Sequence, residues 1–331
     1  MQTLGDIGER RAIGLVLKHL EKMPRMPVPF GDDVSAYPVN DWLLILKTDM
    51  LVGKTDVPEA MSLWQAARKA VVMNVSDFAA KGVKPLAALA SLGLPSNITK
   101  SKLEEVAEGL NAGAREYGVY ILGGDINEAS DLVISISMFG MAKKGALMLR
   151  SGAKPNDVVA VTGFFGKTSA GLKILLENLK APESVRDVLL EAVLMPKARL
   201  KEGLALNSSG AVTASIDSSD GLAWSLHEIA KASGVGFIID DVPVAAEALE
   251  FAESNGLDPV ELALYGGEEY ELVVTINPGR WDAAEKAVRQ VGGNLINIGK
   301  VTAQKRVILA VKGEKRVIKA KGWEHFRRGQ R

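Results

Sequence analysis

The sequence predicts a mixed α/β fold in two domains, and three features carry that expectation. Apolar runs of strand length alternate with amphipathic stretches of helix length along most of the chain. A polar connection bearing Gly and Pro, Arg150-Ser151-Gly152-Ala153-Lys154-Pro155-Asn156-Asp157, separates two such series. The length of 331 residues, 47% of them hydrophobic, suffices for sizeable cores. The expected domains are 1–147 and 148–331.

In the first series, Trp42 to Leu46 reads as a strand. Met61 to Lys81 reads as a helix, ended by Gly82 and followed by Pro85. Ser101 with Glu104 has the spacing of a capping box for a second helix, which Gly118 closes. Val119 to Leu122 and Leu132 to Met141 return to strand character, and Lys143-Lys144-Gly145 is a turn. In the second series a new core begins with Val158 to Thr162. Helices follow near 167–180, 184–193, 222–233 and 279–291, and strands near 211–216, 235–240, 270–276 and 306–311. The chain carries no short repeat and no low-complexity stretch.

Composition excludes several classes of function. Acidic and basic side chains balance at 40 each, so there is no global electrostatic footprint for nucleic acid or an anionic membrane. The end of the chain is locally basic (Lys312, Lys315, Arg316, Lys319, Lys321, Arg327, Arg328, Arg331) and reads as a solvated tail. With no cysteine, disulfides, thiolate nucleophiles and cysteine-ligated metals are ruled out. His19, His227 and His325 lie far apart, without the paired spacing of a zinc site. No secretory pattern opens the chain, and no apolar run approaches the ~18 residues of a membrane span. A cytoplasmic protein is expected.

The chemistry is carried by acidic residues placed where apolar strands are expected to stop. Val28-Pro29-Phe30 runs into Gly31-Asp32-Asp33, and Leu43 to Leu46 into Lys47-Thr48-Asp49. Tyr120-Ile121-Leu122 runs into Gly123-Gly124-Asp125, and Val212 to Ile216 into Asp217-Ser218-Ser219-Asp220-Gly221. Asn74-Val75-Ser76-Asp77 falls within a helix, and Gly266-Gly267-Glu268-Glu269 completes the set. Any one of these is what an ordinary turn also prefers. Together, strand ends along one sheet edge bring carboxylates into mutual repulsion, which a water-poor cleft sustains only with cations bound. Oxygen ligands without thiolate or imidazole suit a hard cation such as Mg²⁺, which commonly shares its shell with nucleotide phosphates. The glycines allow close backbone approach to those phosphates.

Gly163-Phe164-Phe165-Gly166-Lys167-Thr168 imitates a P-loop, but its glycines are three positions apart where the motif needs five. It reads as a plain helix start.

An ordered set of segments then resembles the thiamine-monophosphate kinases. It comprises Gly31-Asp32-Asp33, Thr48-Asp49, Asn74-Val75-Ser76-Asp77-Phe78-Ala79-Ala80-Lys81-Gly82, Gly123-Gly124-Asp125 and Arg150-Ser151-Gly152-Ala153-Lys154-Pro155. It continues with Asp217, Ser219-Asp220-Gly221 and Gly267-Glu268-Glu269-Tyr270-Glu271-Leu272, and reaches the Gly322-Trp323-Glu324-His325-Phe326 ending. The resemblance extends to a superfamily with aminoimidazole ribonucleotide synthetase, selenophosphate synthetase and a hydrogenase-maturation dehydratase. It implies an aminoimidazole ribonucleotide synthetase-like fold, with an N-terminal mixed sheet at a homodimer interface and a C-terminal α/β domain. It implies transfer of the γ-phosphoryl group of ATP to thiamine monophosphate, assisted by several Mg²⁺ ions.

By position, the resemblance implies that Asp33, Thr48, Asp49, Asp77, Asp125, Asp217 and Asp220 hold magnesium. Gly124, Asp125, Arg150 and Ser219 would meet ATP, while Asp56, Glu268 and Trp323 would meet the thiamine portion. Two positions depart from the family pattern: Lys47 stands where a small hydroxyl residue is common, and Asp56 where many members have histidine. Alternatives are another ATP-dependent synthetase of the superfamily, or a non-catalytic nucleotide sensor. The missing cysteine argues against the selenophosphate and hydrogenase-maturation branches.

Overall fold

The structure, a computed structural model, describes residues 2–311 and 313–326. Two sheets divide the strands along the chain. The first contains β1 (Ser35–Val39), β2 (Trp42–Val52), β3 (Pro85–Leu94), β4 (Tyr120–Glu128) and β5 (Val133–Lys143), in the order β1-β2-β5-β3-β4. Only the β3–β4 pair is parallel, so the sheet is mixed as expected. The second contains β6 (Val158–Val161), β7 (Val212–Asp217), β8 (Gly236–Ile239), β9 (Leu272–Ile276), β10 (Ile296–Thr302), β11 (Val307–Val311) and β12 (Glu314–Val317). Its order is β12-β11-β8-β10-β6-β9-β7.

The helices of the first half are α1 (Leu4–Lys18), the single turn α2 (Gly53–Asp56), α3 (Leu63–Lys81) and α4 (Lys100–Glu116). Those of the second half are α5 (Lys167–Glu177), α6 (Glu183–Leu194), α7 (Leu200–Ser209), α8 (Leu222–Ser233), α9 (Ala246–Asn255), α10 (Pro259–Tyr265) and α11 (Trp281–Gln290). None of the described helices is long and apolar enough to cross a membrane. Of the basic tail, Lys312, Arg327, Arg328 and Arg331 lie outside the described residues, while Lys315 and Arg316 are exposed on β12.

The helix that positions the site is α3. Ser62 caps it, accepting from Gln65 N, while the Gln65 side chain returns the bond to the Ser62 N–H. Gly82 ends it at φ 63°, a left-handed position where a Cβ would also lie 2.3 Å from Asn207 Cβ. Nearly every residue from Ala66 to Lys81 is buried, because α3 is covered on both sides. One hydrophobic cluster joins Val71, Val75 and Phe78 of α3 to Ile134 and Ile136 of β5 and to Leu272 and Val274 of β9. The core therefore crosses the polar connection.

Two expectations are corrected by the local structure. The α4 cap is Thr99, which accepts from Lys102 N at 3.3 Å; Ser101 lies inside the helix and Glu104 pairs with Lys100. The strands carrying Asp49 and Asp125 do not stop at those residues. β2 runs on through Met50, Leu51 and Val52, which pair with Ser135, Ile134 and Val133. β4 runs through Gly123, Gly124 and Asp125 to Glu128, paired along β3. Gly124 is needed there for packing, since a Cβ would fall 1.7 Å from Ala90 O.

The face of the first sheet turned away from α3 is open. Leu46, Met50, Leu89, Leu122 and Ile126 are each at least 42% exposed on it or on its edge strand. Large apolar side chains exposed together on one sheet face are characteristic of a docking face.

Candidate metal and nucleotide site

Three buried carboxylates meet where the two halves join. Asp33 comes from the loop ahead of β1, Asp77 from α3 and Asp217 from the end of β7, and one oxygen of each lies within 4.8 Å of the others. On α3, Asn74, Asp77 and Lys81 follow the i, i+3, i+7 spacing of a single helix face. Ser76 Oγ donates to Asp217 Oδ2 at 2.7 Å, and Asn74 Oδ1 accepts from the Asp49 amide at 3.1 Å.

Three cations are built into this acidic junction. Lys81 Nζ is 2.7 Å from both Asp32 and Asp33 and donates to Ser215 O at 2.9 Å. Arg150 donates to Asp33 through Nε at 2.7 Å and also through its terminal nitrogen, and to Gly31 O at 2.7 Å. Lys47 Nζ spans Asp49 at 3.0 Å and Asp77 at 2.9 Å.

Burial disfavours charge throughout, yet Lys81 and Arg150 outweigh it at Asp33 and hold that carboxyl below the usual range. At Asp77 burial prevails over Lys47, aided by repulsion from Asp49, Asp217 and Asp33, and the carboxyl is pushed well up. Burial, together with Asp33, pushes Asp217 up to about 6. Two of the three carboxylates thus lack enough positive charge. The oxygen-only donor set and its spacing fit a hard divalent cation.

Two clefts reach these carboxylates. One of about 420 Å³ is lined by Arg10, Gly31, Arg150, Asp217, Ser219 and Trp224. The other, of about 770 Å³, is lined by Asp33, Lys47, Thr48, Leu89, Leu122 and Ser137.

The remaining expected residues fall into three groups. Ser219, Asp220, Glu268 and Trp323 gather in one knot of loops: Glu268 N donates to Ser219 O at 2.7 Å and Trp323 N to Asp220 O at 3.0 Å. Asp220 turns to Arg10, 3.4 Å away, rather than to the buried carboxylates. Asp56 is already engaged, its Oδ2 accepting from Val52 N at 2.7 Å to close the turn of α2.

Thr48 and Asp125 are not brought to the carboxylate junction. Strand alternation turns Thr48 to the face opposite Lys47 and Asp49, where Ser137 Oγ lies 3.2 Å from its hydroxyl. Asp125 is exposed on β4, which β5 and β3 separate from β2, roughly 14 Å at the usual strand spacing. Its cross-sheet register with Ser91, Ser135 and Met50 puts it on the open face with Thr48. Gly124, beside it, aligns through Ala90 and Ile136 with Asp49.

The two halves match two family models, AIR synthase related protein, N-terminal domain over residues 31–142, and its C-terminal domain over residues 154–312. A thiamine-monophosphate kinase of Nitrosopumilus maritimus is 43% identical over 86% of this chain and 89% of its own length. One of Pyrococcus horikoshii is 39% identical over 90% of this chain and 91% of its own. The chain belongs to the thiamine-monophosphate kinase family. The solved structure described as AaThiL complexed with AMPPCP and TMP superposes with a TM-score of 0.86 at 30% identity, covering 98% of this chain and 99% of that one.

Against the family's acidic motifs, the residues that sequence reasoning missed are mostly cations. Lys69 of α3, 1% exposed, sits 2.5 Å from Glu268 Oε1 and donates to Asp56 O at 3.0 Å. Arg10 of α1 lies 3.6 Å over the Trp224 ring and 2.6 Å from Glu228. Tyr270, buried at φ 52°, has its hydroxyl pushed well up by burial and by the negative charges of Glu268, Asp217, Asp49 and Asp56. A lysine on a buried helix face is itself a readable signal, because such a lysine needs an acidic partner. The imitation P-loop is a plain helix start: Glu269 takes the amides of Gly166 and Thr168 at 2.6 and 3.2 Å.

Proposed function

We propose that this chain catalyses ATP-dependent phosphorylation of thiamine monophosphate, giving thiamine diphosphate and ADP. The carrying observation is the buried meeting of Asp33, Asp77 and Asp217, reached by two clefts, in a chain matched over almost its full length by a relative holding AMPPCP and TMP. An oxygen of the thiamine phosphate attacks the γ-phosphorus of ATP, and the bond to the ADP oxygen breaks. The attacking oxygen is already anionic, so the protein needs no strong base.

Mg²⁺, when bound, offsets the repulsion between the two phosphate chains and stabilises charge on the transferring group. Asp33, Asp77 and Asp217 are its holders in this reading, with Asp49 beside them. Arg150 orients Asp33 and faces the cleft through which ATP phosphates reach the carboxylates, and Ser219 lines the same cleft. Glu268 and Trp323, joined through the loop knot, form the thiamine side, where an aromatic ring and a carboxylate suit a cationic thiazolium. Asp56 supports that side through the Lys69 contact to its carbonyl.

The division at 1–147 and 148–331 assigns the first sheet to one part and the second to the other. A second copy of the chain on the open face of the first sheet makes a homodimer and brings Thr48 and Asp125 into a shared boundary. The cytoplasm, where ATP and Mg²⁺ are abundant, is the compartment this reading takes.

The test is a direct one. Incubation with ATP, Mg²⁺ and thiamine monophosphate, followed by chromatography, is expected to yield thiamine diphosphate; no product above a no-enzyme control, with ATP binding intact, refutes the reading. Glu268→Gln is expected to raise KM for thiamine monophosphate by roughly tenfold, the loss of one charge-assisted contact. An equal loss of ATP affinity would contradict the role given to Glu268.

A further inference from the structure

Lys47 differs from the other cations of the site in what holds it. Lys81 and Arg150 are each anchored to a backbone carbonyl as well as to Asp33, Lys81 at Ser215 O and Arg150 at Gly31 O. The bonds that place Lys47 run to two carboxylates, Asp49 at 3.0 Å and Asp77 at 2.9 Å, on the wall of the larger cleft. Its side chain is 19% exposed and projects from β2 on the same face as Asp49, toward α3.

Charge counting gives that position a meaning. Asp32, Asp33, Asp49, Asp77 and Asp217 carry five negative charges when ionised, and Lys47, Lys81 and Arg150 supply three positive ones. The surplus of two equals the charge of one divalent ion, and the spacing of Asp33, Asp77 and Asp217 offers one place for it. Without Lys47 the surplus is three, and the pair Asp49 and Asp77 loses the cation that spans its oxygens.

We propose that the Lys47 ammonium is a resident cation of the site, standing between Asp49 and Asp77 where a divalent ion would otherwise bind. The protein holds one divalent ion fewer than its carboxylates alone would take, and Lys47 fixes that number. The proposal rests on the Mg²⁺-dependent reading of the site given above. An ammonium is a point charge with three donors and no octahedral demand, so it bridges two carboxylates without the water shell that Mg²⁺ retains. It also cannot leave with the nucleotide, and the Asp49–Asp77 pair stays neutralised between turnovers.

The experiment counts ions. Mn²⁺ is titrated into wild type, Lys47→Ser and Lys47→Arg and free ion is followed by electron paramagnetic resonance, with and without a non-hydrolysable ATP analogue. Lys47→Ser is expected to bind one more Mn²⁺ per chain than wild type, and Lys47→Arg, which keeps the charge, the wild-type number. Equal counts in wild type and Lys47→Ser overturn the proposal, as does an extra ion in Lys47→Arg. Where Lys47→Ser fails to fold without metal, the count is made on Lys47→Gln refolded in excess Mn²⁺, with the same expectation. Thiamine diphosphate formation is assayed separately on wild type: its absence overturns the proposed function, whereas unchanged counts with an active wild type overturn only the role of Lys47.

Discussion

Asp217→Asn is expected to lower phosphoryl transfer by roughly a thousandfold, about 4 kcal/mol of transition-state stabilisation, while the fold persists. Asp217 is the member of the carboxylate group delivered by the end of β7, and both clefts converge on that group. Asparagine keeps the shape and still accepts the Ser76 Oγ bond, so only the charge is lost. Stability is expected to move the other way in metal-free protein. The wild-type carboxyl is pushed up to about 6 by burial and by Asp33, from 3.8, so the native state binds protons more readily than the unfolded chain. Its ionisation therefore costs stability above pH 6, and the cost fades as pH falls through 6 toward 4. In chelator at pH 8 the Asn variant unfolds at higher urea concentration than wild type, and the gap narrows at pH 5. A near-normal rate, or a large loss of stability at pH 8, would contradict the role given to Asp217.

Lys81→Met has the largest expected effect on stability, a loss of roughly 3–5 kcal/mol. The Lys81 side chain is completely buried, and its ammonium satisfies Asp32, Asp33 and the carbonyl of Ser215. Methionine fills a similar length but leaves two buried carboxylates with Arg150 as their cation and takes one donor from the Ser215 carbonyl. The midpoint of urea unfolding at pH 7.5, followed by circular dichroism, checks this. Acidification is expected to narrow the deficit, because burial raises the Asp33 carboxyl and Lys81 is part of what holds it below its usual range in the wild type. A loss below about 1 kcal/mol would mean that Lys81 is not what holds Asp32 and Asp33 in place.

Legibility of the fold in the sequence varied with how local its cause was. α3 and α8 were readable because apolar spacing and glycine stops act within a few residues; α8 matches its expected span of 222–233. β3 was missed because Pro85-Leu86-Ala87-Ala88-Leu89-Ala90 has weak strand character, and only pairing with β5 and β4 on its two sides makes it a strand. The same distance effect governs the site. The acidic motifs were visible one by one, and Asp33, Asp77 and Asp217 do converge.

Which motifs share a face was not visible. Strand ends were expected at Asp49 and Asp125, but long-range pairing carries β2 and β4 past them and sends Thr48 and Asp125 to the open face. Lys69 went unread, and Lys81 was quoted in a motif without a role, because their acidic partners, Glu268 and the Asp32–Asp33 pair, lie far away in sequence. The sequence pointed to carboxylates in excess; the structure adds the lysines that make their burial tolerable.

The most direct measurement of the central claim is the position of Mn²⁺ in crystals grown with a non-hydrolysable ATP analogue and thiamine monophosphate. Anomalous scattering is expected to place an ion within coordination distance, about 2.0–2.2 Å, of oxygens from Asp33, Asp77 and Asp217, with the γ-phosphate analogue beside it. Nucleotide bound elsewhere, or ions that avoid these three carboxylates, would contradict the account.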